Sequence, residues 1–241
     1  MRGAARVNDI LLTLALAILP TVVAITFHEA AHGYVANALG DDTAKRAGRL
    51  SLNPLAHVDP IGTLLLPGVL LVGQLLTIGR IDFMFGWAKP VPVNAMRFRN
   101  PRRMMAVVAL AGPAMNFLLA WVGALALYGV PYLSEQGAAV GLDFLRLFIL
   151  VNIGLGLFNL LPIPPLDGGR IAVGLLPLPM ARAWARLERA GLFIVMLVVF
   201  LLPSLLADVG IRFDPVRQAL GTLVPGAVRL VLRLAGHDVG A

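Results

Sequence analysis

Two histidines and a glutamate, in His28-Glu29-Ala30-Ala31-His32, interrupt an apolar run from Ile10 to Leu39 that holds no other charged side chain. If that run is helical, positions i and i+4 share a face. Both imidazoles can then reach one ion while Glu29 addresses a water beside it. The whole chain has four His and three Glu, and this pentapeptide takes two and one of them. Ionisable groups at bilayer depth are expensive and mark functional sites. The plain alternative is a pair of hydrogen-bonded core histidines, which a bilayer interior without water disfavours.

A zinc ion that activates water needs three protein ligands and an open position. With no Cys in the chain, those ligands must be His and carboxylate. The segment Asn159-Leu160-Leu161-Pro162-Ile163-Pro164-Pro165-Leu166-Asp167-Gly168-Gly169 offers one. Pro162 stops a helix, Pro164-Pro165 keep the chain extended, and Asp167 is expected on a loop. Gly168-Gly169 let the backbone approach another element closely. Asp-Gly-Gly is also an ordinary turn signal, and the motif helix that wants a carboxylate turns the reading toward a ligand. His57, among Asn53, Pro54 and Pro60, is read as a solvated or capping side chain rather than a ligand, and His237 as inert.

The elements that must position these groups are membrane helices. The 241 residues are 59% hydrophobic and 14% charged, with a mean hydropathy of +0.84. That composition excludes a soluble globular domain and predicts an all-α polytopic membrane protein. The net charge of +7 reads as topology determinants and contacts to anionic lipid, not as a nucleic-acid surface. Apolar segments cover about 10–39, 60–79, 104–130, 143–161 and 190–207. The start of the chain looks like a signal peptide, but it carries the motif and is read as retained. No stretch has the size of a soluble domain. We therefore expect one integral-membrane domain over 1–241, with a core of about 10–175 and a helix plus basic amphipathic tail over 180–241.

Basic residues fix the expected topology. Arg80, Lys89, Arg97, Arg99, Arg102 and Arg103 precede segment 104–130, while the loop from Gly129 to Leu142 has no Lys or Arg. The positive-inside rule then sends 104–130 out of the cytoplasm and 143–161 back into it. If Asp167 shares a metal with His28 and His32, segments 10–39 and 143–161 end on the same side. Segment 60–79 must then enter and leave on the cytoplasmic side, and Pro67-Gly68 is the expected point of reversal, making it a re-entrant hairpin between four spans. Gly86–Asn94, with Pro alternating with Val, suits a short membrane-associated β segment or a rigid connector. As a strand with a free edge, it could hold an unwound substrate by strand addition. Arg212, Arg217, Arg229 and Arg233 mark the tail as an interfacial amphipathic helix or a loosely ordered basic end.

These residues resemble the site-2 protease family of intramembrane zinc metalloproteases, in a minimal form without PDZ or CBS domains. H-E-x-x-H lies in one segment, and Asn159, Pro162, Asp167, Gly168 and Gly169 match N-x-x-P-x-x-x-x-D-G-G at the end of a later one. Gly112-Pro113-Ala114-Met115-Asn116 is similar to the family's G-P-x-x-N stretch, and Trp87–Asn94 to its membrane-associated β segment. The resemblance implies one Zn2+ held by His28, His32 and Asp167, with Glu29 as general base and then proton donor. It also implies Asn159 as a group that orients the carbonyl or oxyanion, with Asn116, Trp87, Val91 and Val93 against the substrate. Interhelical glue is the plainer role for Asn116 and an equal alternative for Asn159. The partners implied are a transmembrane protein substrate and the bilayer, in a bacterial inner membrane, with the site near the cytoplasmic face. A metal transporter could use the same ligands, and a silent scaffold could retain them. Glu29, which is not needed as a ligand, favours hydrolysis over both.

Overall fold

In the computed structural model, residues 2–77, 79, 86–211 and 213–238 are described. Arg80 and Arg212 lie outside them. The apolar segments become helices that start at side-chain caps. Helix α1 runs Arg2–Ala38 and carries the His-Glu motif in its last third. Asp59 caps the next segment by accepting from the N–H groups of Ile61 and Gly62, and a π turn over Pro60–Leu65 leads into α2, Leu66–Thr77. Asn100, followed by Pro101 at the first position, caps α3, Pro101–Ala126. Ser134 caps α4, Glu135–Asn159, by accepting from the N–H of Gly137. Such caps satisfy amides that a helix start leaves without partners. A short helix α5, Asp167–Leu175, a helical stretch over 178–207 and α6, Pro215–Leu234, complete the order. Four stretches among the described residues are long and apolar enough to cross a membrane: 60–77, 101–132, 135–159 and 178–207.

Helix α3 is the axis of the bundle, packed on α1, α4 and α5, and α4 packs also on α1 and α6. The contacts rely on small residues. Ala120 and Ala124 of α3 meet Ile149 and Ile153 of α4 and Val231 and Ala235 at the C-terminal end. In lipid, close backbone approach takes over from the hydrophobic effect as the cohesive force, which is why alanine serves here. The basic tail is therefore not loose. His237 donates from Nε2 to the carbonyl of Ala124 at 2.7 Å and stacks on Tyr128, pinning the chain end to the bundle.

Two expectations are corrected. The chain does not reverse at Pro67-Gly68, because α2 continues through both residues. Pro67 sits in the first turn of that helix, where its missing N–H is not needed. The preceding π turn, with the Leu66 N–H reaching back to the Ile61 carbonyl, makes the local ladder wider than an α-helix. The helix ends later, where Gly79 takes a φ of +70° and donates its N–H to Gln74. Trp87 nonetheless bonds back to Gly62 and Lys89 to His57, so the chain following the segment meets the chain preceding it.

Residues 86–94 are extended, but they pair in no strand among the described residues. The N–H groups of Trp87, Lys89 and Val91 bond instead to the Gly62 carbonyl, the His57 carbonyl and the Glu29 carboxylate. Alternate residues thus turn their amides toward the protein. Pro90 and Pro92 fall on the intervening positions, where no N–H needs a partner.

Candidate metal centre

The two imidazoles are fixed from behind. His28 Nδ1 lies 2.6 Å from Asn116 Oδ1, and His32 Nδ1 lies 2.7 Å from the Val108 carbonyl, both acceptors on α3. An Nδ1 that faces an acceptor carries the proton, so each Nε2 presents a lone pair. Asn116 is itself held. Its Nδ2 donates to the Ala24 carbonyl at 3.2 Å and to Asn152 Oδ1 at 3.0 Å, and Asn152 donates to Phe148. Asn116 and Asn152 are fully buried, so this chain of amides ties α1, α3 and α4 behind His28. The Val108 carbonyl neighbours that of Ala109, whose helical donor Pro113 lacks.

The free sides of the imidazoles converge on a carboxylate. Asp167 Oδ2 lies 3.0 Å from His28 Nε2 and 3.3 Å from His32 Nε2, and the two rings stand edge to face at 85°. Asp167 is buried, yet its Oδ2 receives no well-directed hydrogen bond from either ring. Two lone pairs and an anionic oxygen facing one point repel each other unless a cation sits among them. The donor set, two neutral imidazoles and a carboxylate, is the one zinc takes in hydrolytic sites. The residues therefore fit the ion. Glu29 belongs to the same cluster, with ligand atoms of His28, Glu29 and His32 all within 4.8 Å of one another.

Glycines make the convergence possible. A Cβ on Gly112 of α3 would lie 2.5 Å from Nε2 of both histidines, so only glycine lets that helix pass the centre. A Cβ on Gly168 would lie 2.2 Å from the Leu160 carbonyl, which is the close backbone approach expected of this motif. Asp167 itself is the first residue of α5 and not part of a free loop.

A cleft of about 290 Å3 opens beside the centre. Glu29, Trp87, Val91, Val93, Asn159 and Asp167 are among the residues that line it. Glu29 Oε2 accepts from the Val91 N–H at 3.1 Å, which fixes the carboxylate against the extended segment. Asn159 bonds back to the Leu155 carbonyl of its own helix while lining the cleft. Asn116 does not line it and sits behind His28. Asn152, the Val108 carbonyl and the steric role of Gly112 escaped the sequence reading. His57 is buried, not solvated, and its Nε2 donates to the Ser51 carbonyl at 2.9 Å.

The comparisons fall on the same ground. A model of peptidase family M50 matches residues 129–202, which contain α4 and Asp167. Over 192 residues the chain is 43% identical to YwhC of Bacillus subtilis (strain 168), whose name designates a zinc metalloprotease, in an alignment taking in 77% of this chain and 80% of that protein. It is 32% identical over 188 residues to Rip2 of Mycolicibacterium smegmatis and over 187 residues to Rip2 of Mycobacterium tuberculosis, which carry the same designation. Those alignments take in 76% of this chain and 66% of each Rip2 protein. No solved structure matches the chain.

Proposed function

The chain belongs to peptidase family M50, whose members are zinc metalloproteases, and from that footing we propose that it cuts a peptide bond in or beside a transmembrane helix of another membrane protein. The observation that carries this reading is the meeting of Asp167 Oδ2 with both Nε2 atoms at 3.0 and 3.3 Å, with both histidines set in a long apolar run. His28, His32 and Asp167 are the three ligands in this proposal. Zinc, when bound, supplies Lewis-acid polarisation of water and of the scissile carbonyl. Glu29, held by the Val91 amide, takes the proton from the attacking water and passes it to the departing amine. Asn159, at the cleft wall, presents an amide to the substrate carbonyl. The extended Trp87–Val93 segment holds the unwound stretch of substrate alongside.

Orientation follows from charge. Arg49 donates to the Lys89 carbonyl at 2.9 Å and Arg97 pairs with Asp41 and Asp42, gathering basic residues at the end of α1 nearest the centre. By the positive-inside rule that end faces the cytoplasm, in a bacterial plasma membrane, and gives water a short path to the site. Residues 1–241 then act as one integral-membrane unit, with α6 packed on α3 and α4.

The test compares zinc content and cleavage of a single-span peptide in vesicles for wild type, Asp167→Ala and Glu29→Gln. The expected wild type holds about one zinc per chain. Asp167→Ala loses most of it, and Glu29→Gln keeps the metal while cleavage drops by a factor of about 10²–10⁴. Unchanged zinc in Asp167→Ala would remove that residue from the ligand set. Near-wild-type cleavage by Glu29→Gln would remove the general base.

A further inference from the structure

A second cavity, of about 360 Å3, lies between α1 and the turn before α2. Val22 and Ile25 of α1, His57, Gly62 and the Trp87-Ala88 pair are among its walls. Trp87 and Ala88 also line the cleft at the metal centre, so the two spaces share a partition. The indole lies flat over Gly62, where a Cβ would come within 2.4 Å of the ring. Ile25 and Val22 precede Glu29 by four and seven residues, about 6 and 10 Å along the helix axis. An extended chain advances about 3.3 Å per residue, so this cavity stands two or three residues from the bond that Glu29 addresses.

The cavity is apolar apart from a few groups, and one of those is unmet. His57 is only 3% exposed. Its Nε2 donates to Ser51, which leaves Nδ1 as an acceptor, and Nδ1 is buried with no hydrogen-bond partner in the protein. That nitrogen is closed off from the cavity as it is from solvent, so the walls offer an occupant mainly apolar contact. The His57 carbonyl meanwhile accepts from Lys89, which couples this turn to the extended segment of the cleft.

We propose that this cavity is a substrate subsite. It receives one large apolar side chain, two or three residues from the scissile bond. The proposal rests on the proteolytic reading above and adds a specificity to it.

The experiment uses the full chain in phosphatidylglycerol–phosphatidylethanolamine vesicles and single-span peptides randomised across the middle of the span, with products read by mass spectrometry. Wild type is expected to enrich phenylalanine and leucine over alanine about tenfold at one position near the cut. Val22→Phe, which fills the cavity, brings the enrichment toward one. Zinc content in that variant stays at the wild-type level. Cutting with a flat profile, or a profile that Val22→Phe leaves unchanged because a lipid chain occupies the cavity, overturns the subsite and leaves the protease standing. Zinc-loaded wild type that cuts no peptide overturns both.

Discussion

On one side of the cleft, His28, His32 and Asp167 stand on helices that pass within a glycine's breadth of one another, with every Nδ1 tied to an acceptor on α3. On the other side, Trp87–Val93 is held mainly by hydrogen bonds, its amides donating to Gly62, His57 and Glu29 and its Trp87 and Lys89 carbonyls accepting from Thr63 and Arg49, and among the described residues the neighbouring α2 packs extensively on no other helix. The helical side resembles a core and the extended side a surface laid against it. On the reading proposed above, metal geometry depends on close packing and substrate geometry on a few hydrogen bonds. The two are joined at Glu29, which sits on α1 and leans on Val91. Substitutions should accordingly separate zinc content from turnover.

The strongest test of the packed side is Gly112→Ala. A methyl group 2.5 Å from both Nε2 atoms has nowhere to go, and zinc affinity should fall by more than about 100-fold, measured by competition with a chelator. Wild-type affinity would show that α3 can yield, and the contrast would weaken. Asn116→Ala strips His28 of its Nδ1 acceptor and should weaken zinc by about 10–100-fold, in the range that loss of a ligand's hydrogen-bond partner produces. Val91→Pro addresses the extended side. It deletes the N–H on Glu29, so kcat should drop about tenfold with zinc content unchanged. Loss of zinc in that variant would mean the two sides are not separable.

The smallest effect belongs to Asp41, where the end of α1 meets the extended segment. Burial pushes its carboxyl up, but hydrogen bonds from Thr43 and the Asn94 N–H, with the charge of Arg97, outweigh this and leave it below its ordinary value. A carboxyl depressed on folding stabilises the protein above its unfolded pKa, and that contribution is lost as pH falls through the folded value. Asp41→Asn should lower Tm by about 2–4 °C at neutral pH. It should also flatten the acid limb of the stability curve, read by thermal denaturation across pH.

Much of the centre was legible because its chemistry is carried by rare residues. His28, Glu29 and His32 stand out in an apolar run, and Asp167, in what alone reads as an ordinary turn, becomes a candidate only because the motif helix wants a carboxylate. What supports them was harder to see. Asn152 looks like any asparagine that joins membrane helices, and the Val108 carbonyl has no signature, since every residue has one. The reversal after 60–77 was placed too early because Pro-Gly reads as a turn in isolation. The π turn and the first-turn position of Pro67 make it compatible with a helix, and Gly79 ends that helix instead. His57 was read as solvated from its flanking prolines, because burial by the distant Trp87–Lys89 segment is a tertiary fact.

The alternation of Val and Pro in 90–93 bears on how such a protein survives crowding in its membrane. An exposed extended segment invites a second copy of itself, since free amide and carbonyl groups template further strands. Here the outward positions 90 and 92 can accept but cannot donate, so a neighbouring chain finds only half of a ladder. A row of copies could not propagate along such an edge, while on the proposed reading one incoming segment could lend its amides for the duration of a cut.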